Sequence, residues 1–214
     1  MTNSLKDRRE QEKLARSEAI LDAAEQVFFS KGYDKASMDE IARTANLSRA
    51  LLYVYFRDKA AMLCAIMLRA GNAMRARFRK ARDNQPGGLA QLMAMGEAYY
   101  RFSLEQPDYF AVLTQAHGPM PAIAEEQAEQ LLAAEGQTMA LMCEAIDAGL
   151  ADGSLDRQRI QQPLQTAYYL RGALHVVIML CQPQQALPCQ SASVAAEPLI
   201  IHTMEMLRRS IAAV

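Results

Sequence analysis

Apolar positions recur at intervals of three and four along almost the whole chain, the spacing of one face of an α-helix. Ile20, Ala24, Val27 and Phe28 form the first such stripe, and Gly32 ends it. Ser37-Met-Asp-Glu40 has the form of a capping box, in which the Ser hydroxyl accepts from the Glu40 amide and the Glu40 carboxylate returns to the Ser37 amide. Met38, Ile41, Ala42 and Ala45 follow as one short amphipathic helix. Asn46 then breaks the pattern; after Gly, Asn best tolerates the left-handed backbone of a tight turn. A second short helix is expected from Ser48, with Leu47, Leu52 and Phe56 inward, and Asp58 is placed to cap a long third helix running past Met74.

Beyond the loop "DNQPGG" (83–88), helical patterns occupy about 89–105, 107–116, 122–150, 159–181 and 196–213. "HGPMP" (117–121) and "ADGSLD" (151–156) carry turn chemistry, and 182–198, rich in Pro, Gln and Ser, reads as a linker. No strand pattern of any length is present. The predicted fold class is all-α: an N-terminal three-helix helix-turn-helix domain and a larger C-terminal helical domain.

Composition changes this picture in one respect. Over 214 residues the formal net charge is only -1, but residues 1–85 hold 17 Lys and Arg against 11 Asp and Glu, and the remainder holds 6 against 13. That asymmetry points to an anionic partner for the N-terminal part, nucleic acid above all. The first residues are charged rather than apolar, and the most apolar run, "ALHVVIMLC" (173–181), is far shorter than the ~20 residues a bilayer requires. A cytoplasmic protein with no membrane partner is expected. Cys64, Cys143, Cys181 and Cys189 are scattered without a CxxC pair, and the three His residues lack metal-ligand spacing. No GxGxxG, P-loop, HExxH or GxSxG is present, so no catalytic residue, metal or cofactor is expected.

The chemistry concentrates in "ANLSRALLYVYFRDKAAM" (45–62), where three aromatic rings stand between positive charges. A capped helix, a tight turn and a second short helix with a basic, hydroxyl-bearing outer face form a helix-turn-helix, whose second helix enters a major groove of double-stranded DNA. Ser48 and Arg49 open that helix, and Arg49 has the fork that guanine O6 and N7 accept. Tyr53 and Tyr55 offer hydroxyls to phosphates, and Lys59 adds charge at a helix N-terminus that already attracts anions. The N-terminal arm, 1–16, holds Lys6, Arg8, Arg9, Lys13 and Arg16 against Asp7, Glu10 and Glu12, and is expected to be a solvated tail.

"SMDEIARTANLSRALLYVYFRDKAAM" (37–62), preceded by "ILDAAEQVFFSKGYDKA" (20–36), resembles the N-terminal DNA-binding region of the TetR (tetracycline-repressor) family of bacterial transcriptional regulators. The resemblance runs from about 17 to 65. "AIDAGLADGSLD" (145–156) and "YYLRGALH" (168–175) are similar to recurring pieces of that family's last helices. It implies a DNA-binding domain over 17–65, a ligand-binding and dimerisation domain over 66–214, a homodimer on a near-palindromic operator, and repression relieved by a small molecule. Carried over residue by residue, it places Ser37 and Arg43 at the backbone or groove. Ser48, Arg49, Ala50 and Leu51 fall on the base-reading face, and Tyr53, Tyr55 and Lys59 at phosphates. The sequence departs from the family where Asn46 stands for the usual Gly and Ala50-Leu51 for the usual Gly-Thr, which bears on base preference rather than fold.

In the C-terminal part, Met93, Tyr99, Tyr100, Phe102, Met139, Met142, Tyr168 and Tyr169 are soft or aromatic groups suited to a cavity that re-packs around a largely apolar effector. Core packing is the plain alternative for each. His117 and His175 are candidates to hydrogen-bond that effector. Cys143 and Cys181 offer a rival redox or electrophile-sensing chemistry, and loss of DNA binding would leave a helical adaptor. Leu164, Leu174 and Ile178, with Leu199, Thr203 and Met206, form stripes that could join two copies through a four-helix bundle.

Overall fold

The computed structural model describes the backbone of residues 2–114, 121–182 and 195–213, with side chains from Lys6 onward. These residues form α1 (Thr2–Lys31), α2 (Met38–Thr44), α3 (Arg49–Tyr55), α4 (Lys59–Asp83), α5 (Gly88–Glu105), α6 (Pro107–Leu113), α7 (Glu125–Asp152), α8 (Pro163–Leu180) and α9 (Ala196–Ile211). The fold is all-α; among the described residues the sole extended pairing is one isolated bridge, Leu155 with Ala212. The chain divides into two compact units, residues 1–70 with 111–132, and residues 71–110 with 133–214.

In the first unit, the α1 stripe closes a core with Ile41, Leu52, Met62 and Ile66; Ile20, Ala24, Ile41, Leu52, Met62 and Ile66 are fully buried. Gly32 ends α1 with φ 86°, and Asn46 makes the turn between α2 and α3 with φ 55°. Asp58 caps α4, its Oδ1 accepting from the Ala61 amide at 2.8 Å. That bond, with the nearby Arg57 guanidinium, holds the Asp58 carboxyl below its usual range. The expected capping box is half formed. Ser37 Oγ accepts from the Glu40 amide at 3.3 Å, but the Glu40 carboxylate pairs with Lys31 at the end of α1. An opposite charge within reach outcompetes a neutral amide for that carboxylate. From Thr2 the arm is the N-terminal extension of α1, exposed over residues 6–16 and carrying an Arg8–Glu12 pair one turn apart. Arg69 of α4 ties down the following stretch of α1: its guanidinium bonds Asp22 at 2.7 Å and Glu25 at 2.9 Å, and also pairs with Glu18.

In the second unit, α5 starts at Gly88, where an added Cβ would lie 2.0 Å from the Gly149 backbone nitrogen of α7. Gly87 has no side chain to cap α5, so the turn after α7 does so: Asp152 Oδ2 accepts from Gly88 N at 2.8 Å and Ser154 Oγ from Leu89 N at 3.1 Å. α8 begins at Pro163, not at 159, because Gln162 is extended and Pro opens a helix at its first position. Residues 183–194, most of the expected linker, lie outside the described residues, as does Cys189. No helix is long and apolar enough to cross a membrane among the described residues.

Candidate functional site

In the first unit, α2 and α3 are both capped by serine. Ser48 Oγ accepts from the Leu51 amide at 3.2 Å, which leaves its own O–H to donate. Leu52 and Phe56 anchor α3 inward, while Arg49, Ala50, Tyr53 and Val54 stand outward; Val54 is 72% exposed. Leu51 and Tyr55 are half-buried flanks of that face. Val54 is absent from the sequence-based set, although its spacing of four residues from Ala50 marks the same face.

The outward groups are organised by one side chain. Arg49 pairs with Asp39 of α2, Nη1 to Oδ1 at 3.1 Å, and Nη2 donates to Tyr53 Oη at 3.4 Å. The guanidinium also lies 5.6 Å from the Tyr53 ring centroid. The Tyr53 hydroxyl and the Asp39 carboxylate hold the Arg49 cation, raising its pKa. Arg43 donates to the Asp39 carbonyl at 3.4 Å and stays exposed. Lys59 points back: Nζ donates to the Tyr33 and Ala36 carbonyls, both at 2.8 Å, and stands 4.5 Å from the Tyr33 ring centroid. It braces the α1–α2 loop with most of its donors. Arg9, Lys13 and Arg16, at i, i+4 and i+7 of α1, line an open cleft with Tyr55, Ala45 and Leu47.

In the second unit, Leu92, Met93, Met95, Tyr99, Met142 and Leu174 enclose a cavity of about 40 Å³ together with Gly96, Phe78, Leu170, Leu207, Met204 and the stem of Arg171. Its walls are almost wholly apolar. Tyr99 Oη and His175 Nδ1 are 2.9 Å apart, and Phe110 packs on both rings. Burial, with the Arg171 charge, pushes His175 below its ordinary value, so the ring is neutral near pH 7. Of the other effector candidates, Phe102 and Met139 are buried outside the cavity wall and Tyr100 is half-buried. Tyr168 and Tyr169 face outward, about half exposed, because α8 turns Leu170 and Leu174 to the interior. His117 lies outside the described residues.

The same orientation of α8 divides the apolar stripe expected to face a partner. Leu174 and Ile178 are 4% and 2% exposed and pack within the chain, whereas Leu164, Tyr168 and Val176 are about half exposed. On α9, Ile201 and Met206 are outward, while Leu199 and Thr203 are partly covered. Burial raises the Cys143 and Cys181 thiols, with Asp147 and Glu144 adding to the effect at Cys143. Both are thereby moved away from the reactive thiolate. Among the described residues no three His, Cys, Asp or Glu side chains converge as a metal site.

A serine-capped three-helix unit with an outward basic second motif helix defines the helix-turn-helix class. Residues 20–66 match the family model described as bacterial regulatory proteins, tetR family. The match is to the N-terminal helix-turn-helix segment of the chain. Among curated relatives it is 34% identical over 83 residues to the transcriptional activator FasR of Mycolicibacterium smegmatis, 39% of this chain and 38% of that protein. It is 43% identical over 53 residues to the transcriptional repressor BepR of Brucella suis, a quarter of each chain. The matched segments therefore span well under half of these relatives. In fold it is similar to the fatty acid degradation regulator FadR from Bacillus halodurans (TM-score 0.68, 17% identity, 90% of this chain and 94% of that one). It is also similar to a tetR-family regulatory protein from Rhodococcus RHA1 (TM-score 0.68, 18% identity, 93% and 98%).

Proposed function

We propose that the chain is a cytoplasmic, homodimeric transcriptional regulator that binds a near-palindromic operator and is released from it by a small, largely apolar effector. The observation that carries this reading is the outward face of α3, where Arg49, Ala50, Tyr53 and Val54 stand exposed on a helix fixed by Ser48, Asn46 and Leu52. Arg49 reads a base edge, Ser37, Arg43, Ser48 and Tyr53 serve the backbone, and Tyr55 and Lys59 support the flank. Outward apolar groups on α8 and α9 support pairing of two copies, which would set two reading helices about one helical turn of DNA apart. The apolar, methionine-rich cavity supports an apolar effector: at about 40 Å³ it is far smaller than the ~300–1,000 Å³ of ligand sites, so occupancy requires Met93, Met95, Met142 and Met204 to re-pack. Such an effector acts through its difference in affinity between conformers; ~1–3 kcal/mol of coupling would change operator affinity ~5- to 150-fold.

Repression is the direction proposed; the relatives include both an activator and a repressor by name. Redox sensing at Cys143 or Cys181 is the weaker reading, since both thiols are raised by burial. The test is selection from a random duplex pool by the purified full chain at near-physiological salt. Two inverted half-sites are expected; a pool that stays unenriched, with and without apolar compounds, would overturn the proposal.

A further inference from the structure

The sequence placed Arg49 on a reading face, but the structure adds a carboxylate to it. We propose that Asp39 is a positioning and specificity-determining residue: it holds the Arg49 fork in one orientation so that the fork meets one base pair. This rests on the DNA-reading role proposed above.

Three observations support it. Asp39 stands on the first turn of α2, and its two carboxylate oxygens lie 3.1 and 3.3 Å from Arg49 Nη1. Tyr53, one turn along α3, accepts from the other terminal nitrogen at 3.4 Å. The guanidinium is thus fixed on both sides by groups on two different helices, while both charged side chains remain more than half exposed.

A negative charge there is otherwise hard to reconcile with this surface. Against a phosphate backbone Asp39 is repulsive, and it cancels Arg49 in the release of counterions that drives non-specific binding. Its gain is geometric. A bidentate base contact needs the plane of the fork set in advance, and Arg carries a large rotamer freedom that the pair removes before binding. Asp39 thus weakens attachment to DNA in general and sharpens the choice of base.

That combination gives opposite signs for two measurable quantities. In Asp39→Asn the affinity for random duplex should rise, and its log–log dependence on salt should steepen by about 0.9, the loss of one opposing charge. Preference at one base pair should fall by roughly fivefold or more, the lower end of what a bidentate contact contributes. The experiment is duplex selection with sequencing for the wild-type full chain, Asp39→Asn, Asp39→Glu and Arg49→Ala, with salt titration on a random duplex and a thermal melt of each. Support requires that Asp39→Asn and Arg49→Ala lose preference at the same base pair, that Asp39→Glu partly restores it, and that melting of Asp39→Asn is unchanged. A motif and salt slope unchanged in Asp39→Asn would overturn the inference. So would loss at a different base pair from Arg49→Ala, because Asp39 would then read a base itself. A wild-type chain that enriches a motif untouched by Arg49→Ala sinks this inference alone; one that enriches none sinks the DNA-reading proposal with it.

Discussion

The Tyr99 hydroxyl and the His175 ring nitrogen meet at 2.9 Å inside the second unit, one on α5 and the other on α8, with Phe110 against both rings. Protonating His175 there means charging a half-buried imidazole beside the Arg171 cation, so its folded-state value lies below the ordinary 6.5. The unfolded chain therefore takes up the proton first. Stability from this site is complete above about pH 6.5 and is lost as pH falls through the depressed folded value. Melting temperature measured from pH 8 to pH 5 should fall on the acid side, and His175→Gln should flatten that part of the curve.

Arg69 binds three acidic side chains of α1 from α4. Its own side chain is largely buried, so Arg69→Ala leaves Glu25, itself only 15% exposed, without that partner. A loss of ~1–3 kcal/mol in urea unfolding is expected. Arg101→Ala, which breaks an exposed pair with Glu97 one turn away, should cost under ~0.5 kcal/mol.

Glycines 88 and 136 both lie in helices but in opposite surroundings. Gly88→Ala drives a methyl group into the Gly149 backbone, and a destabilisation of roughly 2–4 kcal/mol is expected. A Cβ at Gly136 meets nothing within 4 Å, so Gly136→Ala should stabilise by ~0.5–1 kcal/mol. Equilibrium unfolding of the two variants checks both signs.

If α8 and α9 join two copies, charge on their outward apolar groups should separate them. Val176→Asp with Ile201→Asp, both sites more than half exposed, should leave the fold intact and give a monomer by light scattering where the wild type gives a dimer. A wild-type monomer would count against the homodimer.

The basic residues of the α1 extension make a separate prediction. Replacing Arg9, Lys13 and Arg16 together with Ala should reduce the salt dependence of duplex binding by about 2–3 in log–log slope without altering the selected motif. An unchanged slope would leave these residues as a solvated helical face.

Local patterns determined much of this protein. The period of the apolar residues outlined the helices apart from the charged N-terminal half of α1, and Gly32, Asn46, Ser37, Ser48 and Asp58 marked ends among α1 to α4, because caps and left-handed turns depend on residues a few positions apart. The outward face of α3 was legible for the same reason: once Leu52 and Phe56 are inward, Arg49, Ala50 and Tyr53 must be outward. Long-range choices were not legible. Periodicity names a helical stripe but not what covers it, so Leu174 and Ile178 fitted a partner or the interior, and Tyr168 and Tyr169 a cavity or the core. Charged side chains chose partners by proximity in space. Glu40 went to Lys31, Lys59 to the carbonyls of the α1–α2 loop, and Asp39 to Arg49. Asp152 and Ser154 read as a turn in sequence and became the cap of a helix that begins more than sixty residues earlier. Hydrogen bonds and ion pairs act over about 3 Å, and only the packing of the helices decides which groups distant in the chain come that close.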